Sequence, residues 1–336
     1  MDCKLTKLDG VNDPFVSVII PTYNEEVYLP QCLSSLQRVN YPPNRLEIIV
    51  VDNGSTDKTP DIARMFRTNL VLYSEGTTIS AVRNYGANHA QGSILAFLDA
   101  DCIVTENWLS NAVTLLTEET GGIGVVGSRP VSPDEGATWV QKARAAVLVK
   151  NKNMITCWLS SSNFILKKEL FDRVGGFDES LETCEDADLS FRLNKITTIL
   201  YSPYVKALHL REPKTLWEFF TKEVWHGKSS YVGIFRHGLK KEEFLSIIVP
   251  TSYLINFCLF LVGFALRGWA IVIITQIIFW GIPAAMTART ILRRKKLFSV
   301  HQLYIIDLVY LLARTVSIIY SFTGTAQKIN IAEMIN

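Results

Sequence analysis

The sequence lacks a strong charge imbalance. Its 34 Lys and Arg residues are nearly balanced by 32 Asp and Glu residues, which leaves a formal net charge of +2 among 336 residues. A strongly basic nucleic-acid-binding protein carries a clear positive excess, and an acidic disordered chain carries the reverse. Neither class fits this composition, so we expect no nucleic-acid partner.

Cysteine pairs and a secretion signal are also missing. The six cysteines are scattered and include no C-x-x-C motif, which argues against a structural zinc site or a disulfide framework. Reduced thiols in a cytosolic setting are the simpler interpretation. The first residues, MDCKLTKLDGVNDPF, have no apolar core, so we expect no cleavable signal peptide and a flexible N-terminus over residues 1–15.

Long apolar runs are abundant and follow residue 240. Residues 245–266 and 268–288 hold 22 and 21 residues without a charge, and about 20 apolar residues span a bilayer. A third run, 303–322, contains Asp307 and Arg314, which share a helix face and could pair inside a bundle. An amphipathic helix at the membrane interface is the alternative for this run. We therefore predict a transmembrane region over 245–322 and a C-terminal tail over 323–336.

Basic residues predict the orientation. Only Arg267 lies between the first two runs, whereas Arg289, Arg293 and residues 294–296 (RKK) lie between the second and third. Because cytoplasmic loops are enriched in Lys and Arg, the N-terminal domain and the 289–296 loop are predicted to be cytoplasmic. Three spans would then place the C-terminus outside, in a multi-pass protein of the cell membrane.

The first half of the chain alternates between strand and helix patterns. Residues 16–20, 46–51 and 94–98 are continuous apolar runs of the kind found in parallel strands buried on both faces. Helical patterns lie near 26–38, 57–68 and 78–91. This order predicts an α/β domain with a mostly parallel sheet flanked by helices.

Polar clusters follow these strands, where ligands of such sheets gather. They are residues 21–25 (PTYNE), 52–57 (DNGSTD) and 99–101 (DAD). Singly, each is equally compatible with helix capping. The carboxylates of Asp99 and Asp101 repel each other unless a cation intervenes. Oxygen ligands of this kind suit Mg²⁺ or Mn²⁺ shared with a diphosphate.

Together the motifs VSVIIPTYNEE, DNGSTD, AVRNYGA, FLDADC, GGFDESLETCEDADLSFRL and ALHLR resemble the inverting family 2 glycosyltransferases of the GT-A fold. The resemblance covers about residues 16–212. It implies a GT-A nucleotide-diphospho-sugar transferase domain, followed here by the C-terminal helical transmembrane region. It also implies a nucleotide-diphosphate sugar as donor and a divalent metal, Mg²⁺ or Mn²⁺.

The resemblance also implies a role for each matching residue. Residues implied to bind the nucleotide or its diphosphate are Pro21, Tyr23, Glu25, Asp52, Arg83, Asp99 and, in WHGK, Lys228. Those implied to bind the metal are Asp101, Asp99 and His209. Asp186 matches the general base, and Glu185 would orient the base or the acceptor.

The chemistry suits these residue types. An acceptor hydroxyl attacks the anomeric carbon, a carboxylate takes its proton, and the metal neutralises the leaving diphosphate. Glu185 and Asp186 are alternatively explained as favourable charges at a helix N-terminus. An acceptor phosphate would need no strong base, which would leave Asp186 a lesser role.

The junction between the predicted catalytic domain and the transmembrane region, residues 213–244, indicates the kind of acceptor. Its aromatic and basic residues, including Trp217 and Trp225, favour a helix at the membrane interface over ordinary packing. Processive synthases of the family carry Q-x-x-R-W here, whereas this chain has Thr221 and Val224 before Trp225. We therefore predict transfer of one sugar to a membrane-associated acceptor, a lipid-linked glycan or polyprenyl-phosphate, at the cytosolic face.

Three other functions remain open. A polyprenyl-phosphate sugar synthase would use a phosphate acceptor, and an inactive GT-A domain would serve as a membrane scaffold. A nucleotidyltransferase would be expected to carry a Gly-rich basic loop after the first strand, where this chain has PTYNEE. The sequence leaves the donor base, the sugar and the choice between Mg²⁺ and Mn²⁺ open.

Overall fold

The computed structural model describes residues 13–66, 68–72, 78–118, 122–181, 183–228, 244–293 and 299–323. These residues form two compact units. The first runs to Pro133 and resumes over Leu148–Glu212, and the second combines Asp134–Val147 with the chain from Pro213 onward. Residues 134–147, which the sequence prediction assigned to the 16–212 domain, therefore group with the C-terminal helices.

An eight-stranded sheet forms the centre of the first unit, in the order β3-β2-β1-β4-β8-β6-β9-β7. Its strands are β1 Val16–Thr22, β2 Leu46–Asp52, β3 Asn69–Leu72, β4 Ile94–Leu98, β6 Ile123–Gly127, β7 Met154–Ile155, β8 Asn163–Lys167 and β9 Thr198–Tyr201. A separate antiparallel pair joins β5, Cys102–Val104, to β10, Ala207–His209. The three strands expected from the apolar runs are β1, β2 and β4.

The sheet is mixed rather than uniformly parallel. Strands β1 to β4 are parallel to one another, but β8 lies antiparallel between β4 and β6, and β7 is antiparallel to β9. The α/β prediction is confirmed. The carboxyl ends of β1 and β2 meet side by side, since Thr22 is paired with Asp52.

Helices cover both faces of the sheet. They are α1 Leu29–Leu36, α2 Thr59–Met65, α3 Ile79–His89, α4 Trp108–Thr117, α6 Lys168–Val174 and α7 Glu185–Leu193. Alternate residues of β1 enter two separate cores: Val18 packs in the cluster that contains α1 and α4, and Ile19 packs in the one that contains α3 and α7. Helix α3 approaches β1 closely at Gly86, where a Cβ would lie 2.6 Å from Ile19 Cγ2.

The second unit is helical. It contains most of α5, Trp139–Leu148, together with α8 Leu216–Lys228, α9 Phe244–Ala265, α10 Trp269–Arg293 and α11 Val300–Thr323. The last three helices are long and apolar enough to cross a membrane. Helices α9 and α10 form a hairpin that turns at Arg267 and Gly268, with Gly263 close to Ile271.

The suggested pairing of Asp307 with Arg314 is wrong. The Thr287 hydroxyl donates a hydrogen bond to Asp307 Oδ2 over 2.7 Å, and Arg314 Nη2 lies 3.1 Å from Glu223 Oε2. The reason is that α10 and α8 pack on different parts of α11 and each supplies a closer polar partner.

Several predicted regions lie outside the described residues. They are most of the predicted tails and part of the junction, at residues 1–12, 229–243 and 324–336, and also Arg294, Lys295 and Lys296.

Candidate active site

The loops that follow β1 and β2 are joined by hydrogen bonds. The buried Asp52 carboxylate accepts from Thr22 Oγ1 at 3.2 Å, from Ser55 Oγ at 2.6 Å and from the Ser55 N–H at 3.1 Å. The Asn24 N–H donates to Ser55 Oγ at 2.8 Å, and the Thr56 N–H donates to Asn24 Oδ1 at 2.9 Å. The two motifs that sequence reasoning treated separately therefore form one structure.

The residues predicted to line the nucleotide pocket differ in accessibility. Pro21 is buried within β1, opposite Val51, whereas Tyr23 is 57% exposed. Glu25 binds the Arg211 guanidinium with a Nη2–Oε2 distance of 2.7 Å. Burial is the main cause that raises the pKa of Glu25 to about 7, against the opposing charge of Arg211.

Arg83 links the acidic residues after β4 to those of α7. It is 3% exposed, and its Nη2 and Nη1 atoms lie 2.8 Å from Asp99 Oδ1 and 2.8 Å from Glu185 Oε1. Its guanidinium carbon lies 5.6 Å from the centre of the Phe177 ring. Burial disfavours the charge, but the Asp99 and Glu185 carboxylates outweigh it and raise the pKa of Arg83 above its usual value.

Asp186 lies in the first turn of α7, after Cys184 in the left-handed conformation with φ 65°. Burial, followed by the negative charge of Glu185, raises the pKa of Asp186 to about 7, while Arg83 and Arg129 oppose the shift. Glu185 is held from two sides, since Ser161 Oγ also donates to its Oε1 at 3.3 Å. A carboxylate with a pKa near neutrality is suited to accept a proton from an acceptor hydroxyl.

The pairing of β5 with β10 brings together a group that can hold a metal ion. His209 lies opposite Cys102, and its Nε2 is 3.6 Å from Asp101 Oδ2. The ligand atoms of Asp101, Cys102 and His209 all lie within 4.8 Å of one another. A carboxylate and an imidazole fit a divalent cation that also needs open positions for a diphosphate. Asp99, also predicted as a ligand, directs one carboxylate oxygen, Oδ1, to Arg83.

Two residues of this region were missed by sequence reasoning. Cys102 is a fully buried neighbour of Asp101, and Arg211 connects Glu25 to Asp101, whose Oδ2 lies 3.9 Å from Arg211 Nε. Arg211 was readable in principle, because it follows His209 by two residues in ALHLR. The predicted diphosphate ligand Lys228 ends α8, and its side chain lies outside the described part of the chain.

Comparison with known proteins identifies a family over the N-terminal half of the chain. Residues 17–178 match the family described as Glycosyl transferase family 2. Residues 17–178 form a family 2 glycosyltransferase domain. The family predicted from the motifs is thereby confirmed, while the roles of the single residues stay predictions.

Relatives of this glycosyltransferase domain cover different shares of the chain. The chain is 34% identical to glycosyltransferase AglE of Haloferax volcanii over 175 residues, which are 50% of this chain and 57% of that protein. It is 24% identical to the uncharacterized glycosyltransferase RT0329 of Rickettsia typhi over 312 residues, 80% of this chain and 96% of that one. The chain spans about half the length of several curated relatives, including AglE.

A solved structure supports the fold. The mannosyltransferase PcManGT from Pyrobaculum calidifontis, in complex with GDP-Man and Mn²⁺, superposes with a TM-score of 0.60 at 20% identity. The match covers 93% of this chain and 88% of that one. The predicted GT-A fold is confirmed.

Proposed function

We propose that this protein transfers a single sugar, with inversion, from a nucleotide-diphosphate sugar to a membrane-associated acceptor. The observation that carries the proposal is the convergence of acidic side chains at the carboxyl ends of three neighbouring strands of a family 2 domain. Glu25 follows β1, Asp52 ends β2, and Asp99 and Asp101 follow β4 directly. Donor ligands of open α/β sheets bind at this edge.

On the donor side, Asp101 and His209 would hold a divalent metal. When bound, the metal would neutralise the charge that develops on the leaving diphosphate. Asp52, with Pro21, Tyr23 and Glu25, would form the nucleotide pocket. The GDP-Man and Mn²⁺ named for PcManGT make a guanine nucleotide and Mn²⁺ obvious members of any test set.

On the acceptor side, Asp186 would take the proton of the attacking hydroxyl. Arg83 and Ser161 hold Glu185 beside it, which supports a fixed position for the acidic pair. A single base on the face opposite the leaving group gives inversion in one displacement. This single displacement has no covalent intermediate, so it needs no second carboxylate as nucleophile.

The acceptor is proposed to be a lipid-linked glycan or a polyprenyl-phosphate at the cytosolic face of the cell membrane. The support is the presence of three helices apolar enough to cross a membrane, which would keep the enzyme where lipid acceptors lie. Membranes supplied with donor and lipid extract should yield products extended by one sugar. A long polymer would contradict this part of the proposal, and an acid-labile phosphodiester-linked sugar would identify a phosphate acceptor.

Nucleotide binding tests the donor site directly. Calorimetry on detergent-purified protein would compare UDP, GDP and dTDP, each with Mn²⁺, with Mg²⁺ and without metal. We expect one nucleotide to bind in a metal-dependent manner, and Asp101→Asn to abolish this binding. Asp61→Asn is the matched control, since Asp61 is exposed and pairs only locally with Arg64 in the described contacts. Folded protein that binds none of the nucleotides would favour the scaffold function.

A further inference from the structure

Helix α11 packs against α8, an amphipathic helix that carries several charged residues. Phe219 of α8 shares a buried cluster with Leu303 and Ile306 of α11. Near the other end of α8, a side chain at Gly227 would collide with Ser317. The two helices therefore pack along each other over the part of α11 that ends near Ser317, opposite the stretch of α8 from Phe219 to Gly227, which is about 12 Å of helix.

Helix α8 is poorly suited to the hydrocarbon core of a bilayer. Its thirteen residues include Glu218, Lys222, Glu223 and His226. Each charged residue at the centre of a membrane costs about 2.5–3.5 kcal/mol on insertion scales. Trp217 is 68% exposed and Trp225 is 37% exposed, and tryptophan is enriched at the interface between membrane and water.

A buried ion cluster fixes α11 to this polar side. Arg314, in the second half of α11, lies 3.1 Å from Glu223 of α8, and Arg144 of α5 lies 3.5 Å from the same carboxylate. Glu223 and Arg144 are 3% and 5% exposed. Since α8 and α5 are amphipathic helices with charged residues, the stretch of α11 that they cover belongs at the same depth as they do.

The α9–α10 hairpin has the opposite character. Its exposed side chains are large and apolar, including Phe264 at 62%, Leu266 at 74% and Ile277 at 66%. Between residues 245 and 288 the sequence has one charge, Arg267, and it lies at the turn. Such an apolar surface is typical of helices that face lipid.

The hydrogen bonds described between α11 and the hairpin lie away from that turn. Thr315 Oγ1 contacts the Pro250 carbonyl oxygen at 3.4 Å, Tyr304 OH contacts the Trp280 carbonyl oxygen at 3.2 Å, and the Thr287 hydroxyl donates to Asp307. From Pro250 to its end at Ala265, helix α9 extends for about 23 Å at 1.5 Å per residue, and the turn at Arg267 lies beyond that end. That length approaches the roughly 30 Å of a hydrocarbon core.

We infer that α11 lies along the membrane interface with α8, and that only the α9–α10 hairpin crosses the bilayer. Arg267 would reach the opposite headgroups at the turn of the hairpin. The chain would then enter and leave the membrane on one side, so its C-terminus lies on the same side as the residues that precede α9. This arrangement replaces the three-span topology expected from hydropathy and does not depend on which donor or acceptor is used.

Cysteine accessibility tests the inference in the full chain. His301 and Ile319 are both exposed and lie about 27 Å apart along α11. Single variants His301→Cys and Ile319→Cys would be treated with a membrane-impermeant maleimide in sealed vesicles of each orientation. Mass spectrometry of the peptide that carries the new cysteine separates its signal from that of the native cysteines.

We expect both positions to be labelled from the same side of the membrane. The native Cys258, exposed on α9, serves as the control for lipid burial and should react only after detergent is added. Labelling of Ile319→Cys only from the side opposite to His301→Cys would overturn the inference, and so would shielding of Ile319→Cys like that of Cys258.

A second measurement requires no substitution within the chain. Reporters of membrane sidedness fused before Met1 or after Asn336 should report the same side, whereas a three-span chain would place them on opposite sides. Nucleotide calorimetry on the same preparations keeps the two proposals separate. Protein with an opposite-side C-terminus that still binds nucleotide refutes the topology alone, and protein with same-side termini that binds none refutes the donor site alone.

Discussion

Arg83 is the residue on which the geometry of the candidate site depends most. Its two terminal nitrogens hold one carboxylate from the β4 edge and one from α7, and the guanidinium itself is buried. Arginine suits this position because its planar fork serves two acceptors at once, which a lysine ammonium does not match. We therefore regard Arg83 as a residue that positions Asp99 and Glu185.

Replacing Arg83 should destabilise the first unit. Arg83→Met leaves the Glu185 carboxylate buried without its main cation, and we expect a loss of about 3 kcal/mol in the free energy of unfolding. Asp99 is partly accessible to water, so its share of the loss is smaller. Thermal and denaturant unfolding in detergent would measure the effect. Arg64→Met, which breaks an exposed pair with Asp61, is the control and should change stability by less than about 1 kcal/mol. Equal effects would refute the positioning role.

If Asp186 is the base, as proposed, the reaction has a defined pH dependence. The base acts as a carboxylate, and because its pKa is raised to about 7, the reactive fraction falls as the pH decreases below that value. The rate should therefore drop about tenfold per pH unit on the acidic side and level off above neutrality.

Asp186→Asn separates this base from donor binding. It should lower kcat by about 10²- to 10⁴-fold and leave metal-dependent nucleotide binding intact. Asp188→Asn is a useful comparison, since Asp188 pairs with Arg192 at 2.5 Å within the same helix. A rate that is unchanged in Asp186→Asn would show that no carboxylate base is needed at this position, as expected for a phosphate acceptor.

Motif residues were easier to predict than the contacts between them. Asp52, Asp99, Asp101 and Asp186 lie in short sequence motifs, at strand ends or at the start of a helix, that can be recognised without knowing the tertiary structure. The contact of Arg211 with Glu25 joins residues that are 186 positions apart, and it depends on the pairing of β10 with β5. A strand of three residues carries almost no sequence signal, so neither this pairing nor the approach of Cys102 to His209 was predictable.

At the scale of elements, continuous apolar runs predicted the parallel strands well. They did not predict that β8 is antiparallel, because a buried antiparallel strand between two others has the same composition as a parallel one. Helix α5 was also missed as part of the second unit. Its pattern shows only an amphipathic helix, and its assignment follows from the cluster that Val140 and Ala143 share with Phe219 of α8.

The buried cluster of α5, α8 and α11 allows a comparison between its members. Glu223→Gln removes the carboxylate that Arg144 and Arg314 share, so we expect a loss of about 3–5 kcal/mol. Arg144→Met leaves Glu223 paired with Arg314 at the shorter distance, 3.1 Å, and should cost less. Thermal unfolding in detergent would rank the two variants. If Arg144→Met were the more harmful, the cluster would not be organised around Glu223.

At the scale of the whole molecule, hydropathy predicted three long helices correctly, but it did not show which polar partners contact each helix. Mean hydropathy is nearly the same for the apolar spans of α9, α10 and α11. What distinguishes α11 is its neighbours: Glu223 approaches Arg314, and Thr287 binds Asp307. Partners of this kind come from other elements of the chain, so the depth of each helix has to be read from the packed structure.

Charged substitutions should therefore have different effects along the C-terminal helices. Leu259→Arg and Ile277→Arg place a guanidinium on exposed apolar faces of the hairpin, where a charge costs about 2.5–3.5 kcal/mol at mid-membrane. We expect both to reduce the fraction of protein that stays in membranes after an alkaline wash. Ile319→Arg, on α11, should have little effect because an interfacial arginine reaches the headgroups. Met65→Arg, at a side chain 78% exposed in the first unit, controls for the added charge itself. Equal losses from Ile319→Arg and Leu259→Arg would mean that α11 lies as deep in the lipid as the hairpin does.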